Sequence, residues 1–364
     1  MLKKTPKISF KKQFCFAVLA IIIIFLSLEL LVRFLLPQFN YNGISYEKSK
    51  NIKVFKGEKT FLAKSEISDK FLIRVDKNRK KINFEKNKNK IILIGDSVTL
   101  GLGVKFEDTF VELFKKSIET ENTTVIGFSN IGIDFNNVLD TLQENIIRIS
   151  KEGDIIIYQF NYNDITKITN KSSVIKKKQN ISSKIFREFQ KIKFKYLNHS
   201  SFIKYLNHHF SLFFKNLDGD CYERNIESLG QYTYAFFSKG FENDSKISWS
   251  RFEKKLLKLK KLTNEKKLKL YVLISPISLQ IDNHEKTNKL NHDMSCSTVN
   301  GYIYLKSLLE KNNVEAIDPL MKFKKYNKKN TQLLFQPFDT NHPNKYGHKI
   351  IAEELYYKLS KYSK

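Results

Sequence analysis

The first strong pattern along the chain is an apolar run from Phe14 to Leu36, whose centre, Ala20-Ile21-Ile22-Ile23-Ile24-Phe25-Leu26, carries no charge. Its length is what a helix needs to cross the hydrocarbon of a bilayer. Glu29 and Arg33 fall four apart near its far end, on one helix face where they can pair, and close enough to the interface to reach it. Pro37 then closes the helix. From there to about residue 86 the chain is polar, lysine-rich and weakly patterned. Short alternating pieces such as Phe71-Leu72-Ile73-Arg74-Val75 predict a strand or two packed on the main domain, so 37–86 reads as a stalk and lead-in.

A regular rhythm then begins. Ile91-Ile92-Leu93-Ile94 is a continuous apolar run ending at Gly95, the pattern of a strand buried on both faces of a parallel sheet. A helix is predicted over 107–120, a strand over Thr123–Phe128, a helix over about 136–150 and a strand over Asp154–Phe160. After a helix at 249–265 comes a fourth strand within Leu268–Ser275. After a helix at 301–311 comes a weaker fifth, Val314–Ile317. The last helix is predicted from Pro343, where proline suits a first turn, with Ile351, Leu355 and Leu359 as its apolar stripe. Strands alternating with helices imply a parallel sheet covered on both faces, with its active site at the carboxyl ends of the strands. Residues 165–248 interrupt the rhythm as a basic insertion rich in Asn, Phe and Tyr, with helices expected at Ser183–Phe194 and Ser201–Phe214.

Charge changes the picture at the ends of the apolar run. Lys3, Lys4, Lys7, Lys11 and Lys12 precede it, which holds the N-terminus in the cytoplasm and exports the chain beyond the run. A cleaved signal peptide is the rival reading; no small-x-small site comes after the apolar core, and the run is long for a signal. The expected organisation is a basic cytoplasmic tail at 1–13, a signal-anchor at 14–36, the stalk, and an exported domain at 87–364 on a single-pass anchor. The whole chain has 64 Lys+Arg against 37 Asp+Glu, a formal net charge of +27. Such a surface attracts anionic envelope material. No nucleic-acid motif accompanies the lysines, so no nucleic-acid partner is expected. With no Cys-x-x-Cys, zinc and thioredoxin chemistry are excluded, and no metal or cofactor is implied. Cys221 and Cys296 could form a disulfide in an exported domain; their separation in space is not readable from the chain.

The strand ends carry the candidate chemistry. Gly95-Asp96-Ser97 follows the first strand and places a serine hydroxyl at the positive end of a helix. The tripeptide alone is expected by chance in roughly one chain in ten of this length, and its bland meaning is a capping serine. Ser129-Asn130-Ile131-Gly132 follows the second strand, and Asn161-Tyr162-Asn163-Asp164 the third. A glycine amide and an asparagine side chain are neutral donors that can hold an oxyanion; their bland meanings are a turn glycine and an Asx-turn. Asp339-Thr340-Asn341-His342 precedes the last helix, spaced so that the carboxylate can hold Nδ1–H while Nε2 takes a proton from serine. The bland meaning of His342 is a surface cap. Four such features at one sheet edge, in a workable order, favour catalysis.

These four blocks, in this order, resemble the SGNH or GDSL-like hydrolases over roughly residues 88–361. The resemblance implies a flavodoxin-like three-layer α/β/α fold with about five parallel strands. It implies Ser97 as nucleophile, His342 as general base, Asp339 as its orienting acid, and the Ser97 amide, Gly132 amide and Asn163 side chain as the oxyanion hole. One position departs: the third block usually reads Gly-x-Asn-Asp, and here Asn161 stands at the glycine. The expected activity is hydrolysis of an O-acyl ester by a serine esterase. Acyl transfer to a hydroxyl of an envelope polysaccharide would use the same triad, and a non-catalytic envelope scaffold is the reading from another class.

Overall fold

The computed structural model describes residues 9–36, 46–49, 52–55, 60–65, 68–76, 88–165, 200–203, 205–206, 235, 242–281, 298–329, 334–336 and 341–362. Asp339, Cys221, Cys296, the helix expected at Ser183–Phe194 and most of the 165–248 insertion lie outside them. The chain divides into two compact units. One comprises Met1–Gly43 with Ser173–Asp218, and the other comprises Ile44–Ser172 with Gly219–Lys364.

In the first unit, helix α1 (Phe10–Leu35) covers the apolar run. Over Lys11–Leu35 its mean hydropathy reaches 2.9, and its apolar side chains stand exposed, which makes it a candidate span; a signal sequence at the same place passes the same test. Glu29 does pair with Arg33, at 2.6 Å. The same carboxylate also accepts from the Ser200 hydroxyl at 2.6 Å and from the Ser201 and Phe202 amides at 2.9 Å each. It thereby satisfies first-turn amides of the helical residues 201–203, as a capping acid does. The Phe25 and Phe202 rings meet edge to face beside it.

Among the described residues, the second unit is built on one sheet of nine strands. Strands β1 (Tyr46–Ser49), β2 (Ile52–Phe55), β3 (Thr60–Ser65) and β4 (Ser68–Asp76) form an antiparallel meander. The expectation of a strand or two is therefore corrected to four. β1 and β2, of four residues each, gave too few positions for alternation to show. Strands β5 (Asn89–Gly95), β6 (Thr123–Ser129), β7 (Ile155–Phe160), β8 (Lys269–Ile274) and β9 (Glu315–Ile317) are the parallel set, in the order β6-β5-β7-β8-β9. That is the flavodoxin-like order, with its topological switch beside β5. β4 joins the set at Leu72 opposite Ser129.

Alternation along the parallel strands sorts the core into two layers. Ile91, Leu93, Val125, Ile155, Ile157, Tyr271 and Leu273 pack on one face with helices α3 (Phe110–Ile118), α7 (Leu320–Lys329) and α8 (Lys345–Leu359). Ile92, Ile94, Ile126, Phe128, Ile156, Tyr158, Phe160, Val272 and Ile274 pack on the other with α4 (Phe135–Thr141), α5 (Glu242–Glu265) and α6 (Thr298–Lys311). Each fully buried Ile or Leu contributes about 1.5–3 kcal/mol, so both faces are strongly specified. The short helix α2 (Ser97–Leu100) follows β5 directly.

Two helix starts and one whole helix depart furthest from the sequence reading. α5 starts at Glu242 rather than 249, because its polar first turns carry no apolar signal. The sequence gives no signal for α7; it is lysine-rich, and among the residues whose burial is described Leu320 and Phe323 are the buried ones. α8 starts at Lys345, not at Pro343. Asn344 takes the cap, accepting from the Tyr346 and Gly347 amides at 2.9 and 3.3 Å, while Pro343 pairs with Phe335 in an isolated bridge.

Candidate active site

β5 ends at Gly95 because nothing larger fits. A Cβ there would stand 2.8 Å from the Gln159 Cβ and would also strike Thr99. Asp96 then caps α2, its Oδ1 accepting from the Val98 amide at 2.8 Å. The helix closes after one turn at Gly101, whose φ of 73° is left-handed, a conformation cheap only for glycine. Ser97 is thus fixed at the first helical position, 7% exposed.

His342 arrives from the far end of the chain. The Gln336 amide donates to the His342 carbonyl and the Asn344 amide to the Leu334 carbonyl, each at 2.9 Å. The Gln336 side chain donates to the Gly103 carbonyl at 2.9 Å and so ties this pairing to the loop after α2. Held in that way, His342 Nε2 lies 2.7 Å from Ser97 Oγ. With the ring proton on Nδ1, Nε2 accepts the serine proton, the arrangement that activates a hydroxyl as a nucleophile.

Under the pair lies a layer of buried polar groups. Gln159 accepts from the Asp96 amide at 3.2 Å and from the Thr99 hydroxyl at 3.0 Å. Asn161 donates from Nδ2 to Asp96 Oδ2 at 3.0 Å. Asp164 Oδ2 accepts from the Tyr158 hydroxyl at 2.6 Å and from the Asn161 amide at 3.0 Å. Burial drives the Asp96 carboxyl above its ordinary range, opposed by the Val98 amide, by the attraction of His342 and by the Asn161 and Asn163 side chains. Asp164 is pushed up to about 8, first by burial and then by repulsion from Asp96.

Of the residues expected from sequence, Ser97 and His342 are brought into contact. Gly132 follows β6 on a loop with a left-handed φ of 71°, and Asn163 lies in the 3-10 turn Tyr162–Asp164 after β7, both at the carboxyl edge. The Asn163 Oδ1 is buried with no hydrogen-bond partner among the described residues. Asp339 lies outside those residues. Sequence reasoning missed Thr99, Gln159, Asn161 and Tyr158 as supports. The available signal was Gln159, a lone amide in the otherwise apolar and aromatic Ile155–Phe160 strand. Among the described residues no group of three or more His, Cys, Asp and Glu could hold a metal ion.

Fold and pair together define an α/β protein with a serine–histidine dyad at the switch point of its parallel sheet. No family model matches the chain, and no curated protein matches it. Solved structures do. One is an acetyl xylan esterase, AlAXEase, at 15% identity and a TM-score of 0.40, covering 74% of this chain and 99% of that one. A second is a catalytic mutant of an acetylxylan esterase from Geobacillus stearothermophilus, at 14% and 0.39, covering 76% and 96%. A third is a lipase/acylhydrolase from Enterococcus faecalis, at 13% and 0.37, covering 75% and 96%. The chemistry open to the site is set by its own atoms.

Proposed function

We propose that this chain is a serine esterase of the SGNH type that cleaves O-acyl esters outside the cytoplasm, tethered by α1. The observation that carries the reading is the 2.7 Å contact between Ser97 Oγ and His342 Nε2 at the carboxyl edge of the parallel sheet. Ser97 Oγ attacks the ester carbonyl while Nε2 takes its proton. The tetrahedral oxyanion is received by the Ser97 amide, the Gly132 amide and the Asn163 side chain. The carbon–oxygen bond to the alcohol then breaks, and His342 returns the proton to the leaving oxygen. Water, deprotonated by the same nitrogen, attacks the acyl-serine and releases the acid. Asp339 holds Nδ1–H and keeps the ring in the productive tautomer.

The full-length chain in detergent should hydrolyse p-nitrophenyl acetate, and Ser97→Ala should lower kcat by about a thousandfold or more with the fold intact. Equal rates in the two would remove Ser97 from the chemistry. The lysines before the apolar run support an exported domain. Alkaline phosphatase fused after residue 40 should accordingly be active in cells, and an inactive, stably expressed fusion would reverse the topology.

A further inference from the structure

We propose that Asn161 is a positioning residue that latches the nucleophile turn to the loop after β7. The proposal rests on Ser97 being the nucleophile. Asn161 is 0% exposed. Its backbone is fixed from its own loop, with the amide donating to Asp164 Oδ2 at 3.0 Å and the carbonyl accepting from the Asp164 amide at 2.9 Å. Asp164 is fixed in turn by the Tyr158 hydroxyl. From this anchored position the side-chain amide reaches across to β5 and holds Asp96 Oδ2, while Asp96 Oδ1 caps α2 through Val98. The path from β7 to the turn presenting Ser97 therefore runs Tyr158, Asp164, Asn161, Asp96, Val98.

Two features separate a latch from a space-filling residue. The donation to Asp96 defines which side-chain atom is nitrogen, so the other is Oδ1, which is buried and has no hydrogen-bond partner among the described residues. A buried, unpaired carbonyl costs stability, and an apolar residue would avoid that cost. What Asn161 supplies and an apolar residue cannot is an N–H to Asp96, beside the one from Asn163. The donor is also neutral, so it holds the carboxyl oxygen without placing a further charge beside His342.

The test uses the full chain in detergent. Asn161→Ala should lower kcat on p-nitrophenyl acetate by about 10- to 100-fold, with KM within about threefold, the signature of a displaced reacting atom rather than lost substrate binding. Amide exchange at Val98–Leu100 should quicken about tenfold relative to β8, reporting a loosened turn. The double variant Asp96→Asn with Asn161→Asp rebuilds an amide–carboxylate pair with donor and acceptor exchanged, and should restore slow exchange. Where Asn161→Ala does not accumulate folded, Asn161→Leu, which keeps the volume and has no donor, carries the same comparison. Wild-type kcat and wild-type exchange in the single variant would overturn the latch. Exchange is read without turnover, so a Ser97→Ala chain as active as wild type would remove the esterase reading and leave the latch to stand or fall on exchange alone.

Discussion

The two ends of the parallel sheet bury carboxylates in opposite ways. At the amino end, Asp154 accepts from the Lys90 and Lys151 amides at 2.8 and 2.9 Å, and the Lys90 ammonium lies 3.9 Å from it. The Asp154 and Lys90 side chains are 0% and 1% exposed. At the carboxyl end, Asp96 and Asp164 are met by amides and a phenol, and Asp96 raises the cost of ionising Asp164. The amino end resembles a structural solution, in which charge is buried with its counter-charge. Among the described residues, the carboxyl end meets its carboxyls with neutral donors and no lysine or arginine, with His342 as the attracting group within reach of Asp96. Residual electrostatic stress of this kind is tolerated where it does something, and here it lies directly under the serine–histidine pair.

The contrast predicts its largest effect at the amino end. Lys90→Met keeps the volume and removes the cation, leaving a buried carboxylate to its two backbone donors. Breaking a buried pair from one side costs about 3–5 kcal/mol, so chemical denaturation should show a loss near about 3 kcal/mol. Esterase kcat per folded molecule should be unchanged, because the pair sits at the opposite sheet edge from Ser97. A loss below about 1 kcal/mol would make the two ends alike, with amides sufficient at both.

That difference between the ends was only half legible in the sequence. The parallel strands were readable because burial on both faces writes continuous apolar runs such as Ile91–Ile94 and Ile155–Tyr158. Their order along the chain then put Ser97 and His342 at one edge without any coordinates. The supports were not readable. Gln159, Asn161 and Asp154 acquire meaning only once register places β5 beside β7, and a polar residue after a strand is otherwise a turn residue. α7 was hidden for a related reason. Its lysines dominate the pattern, and the two residues that bury, Leu320 and Phe323, are too few to show a period.

The effect at the carboxyl end is one of slope, smaller than the Lys90→Met loss over any single pH unit. Asp164 titrates at about 8 in the folded chain, raised by burial, against about 3.9 for an unfolded aspartate. Between those values the folded state keeps a proton that the unfolded state has released. Stability from this group is therefore complete below about pH 4 and is lost as pH rises through about 8, at no more than about 1.4 kcal/mol per pH unit. Asp96, shifted in the same direction, adds to the slope. Asp164→Asn keeps an oxygen to accept from Tyr158 and Asn161 and removes the titration. Thermal unfolding of wild type should fall in Tm from about pH 5 to about pH 8, and the variant should fall less, matching wild type at the acid end and exceeding it at the alkaline end. An unchanged slope would mean that Asp164 is ionised throughout that range in the fold, and that the carboxyl edge is no more stressed than the amino edge.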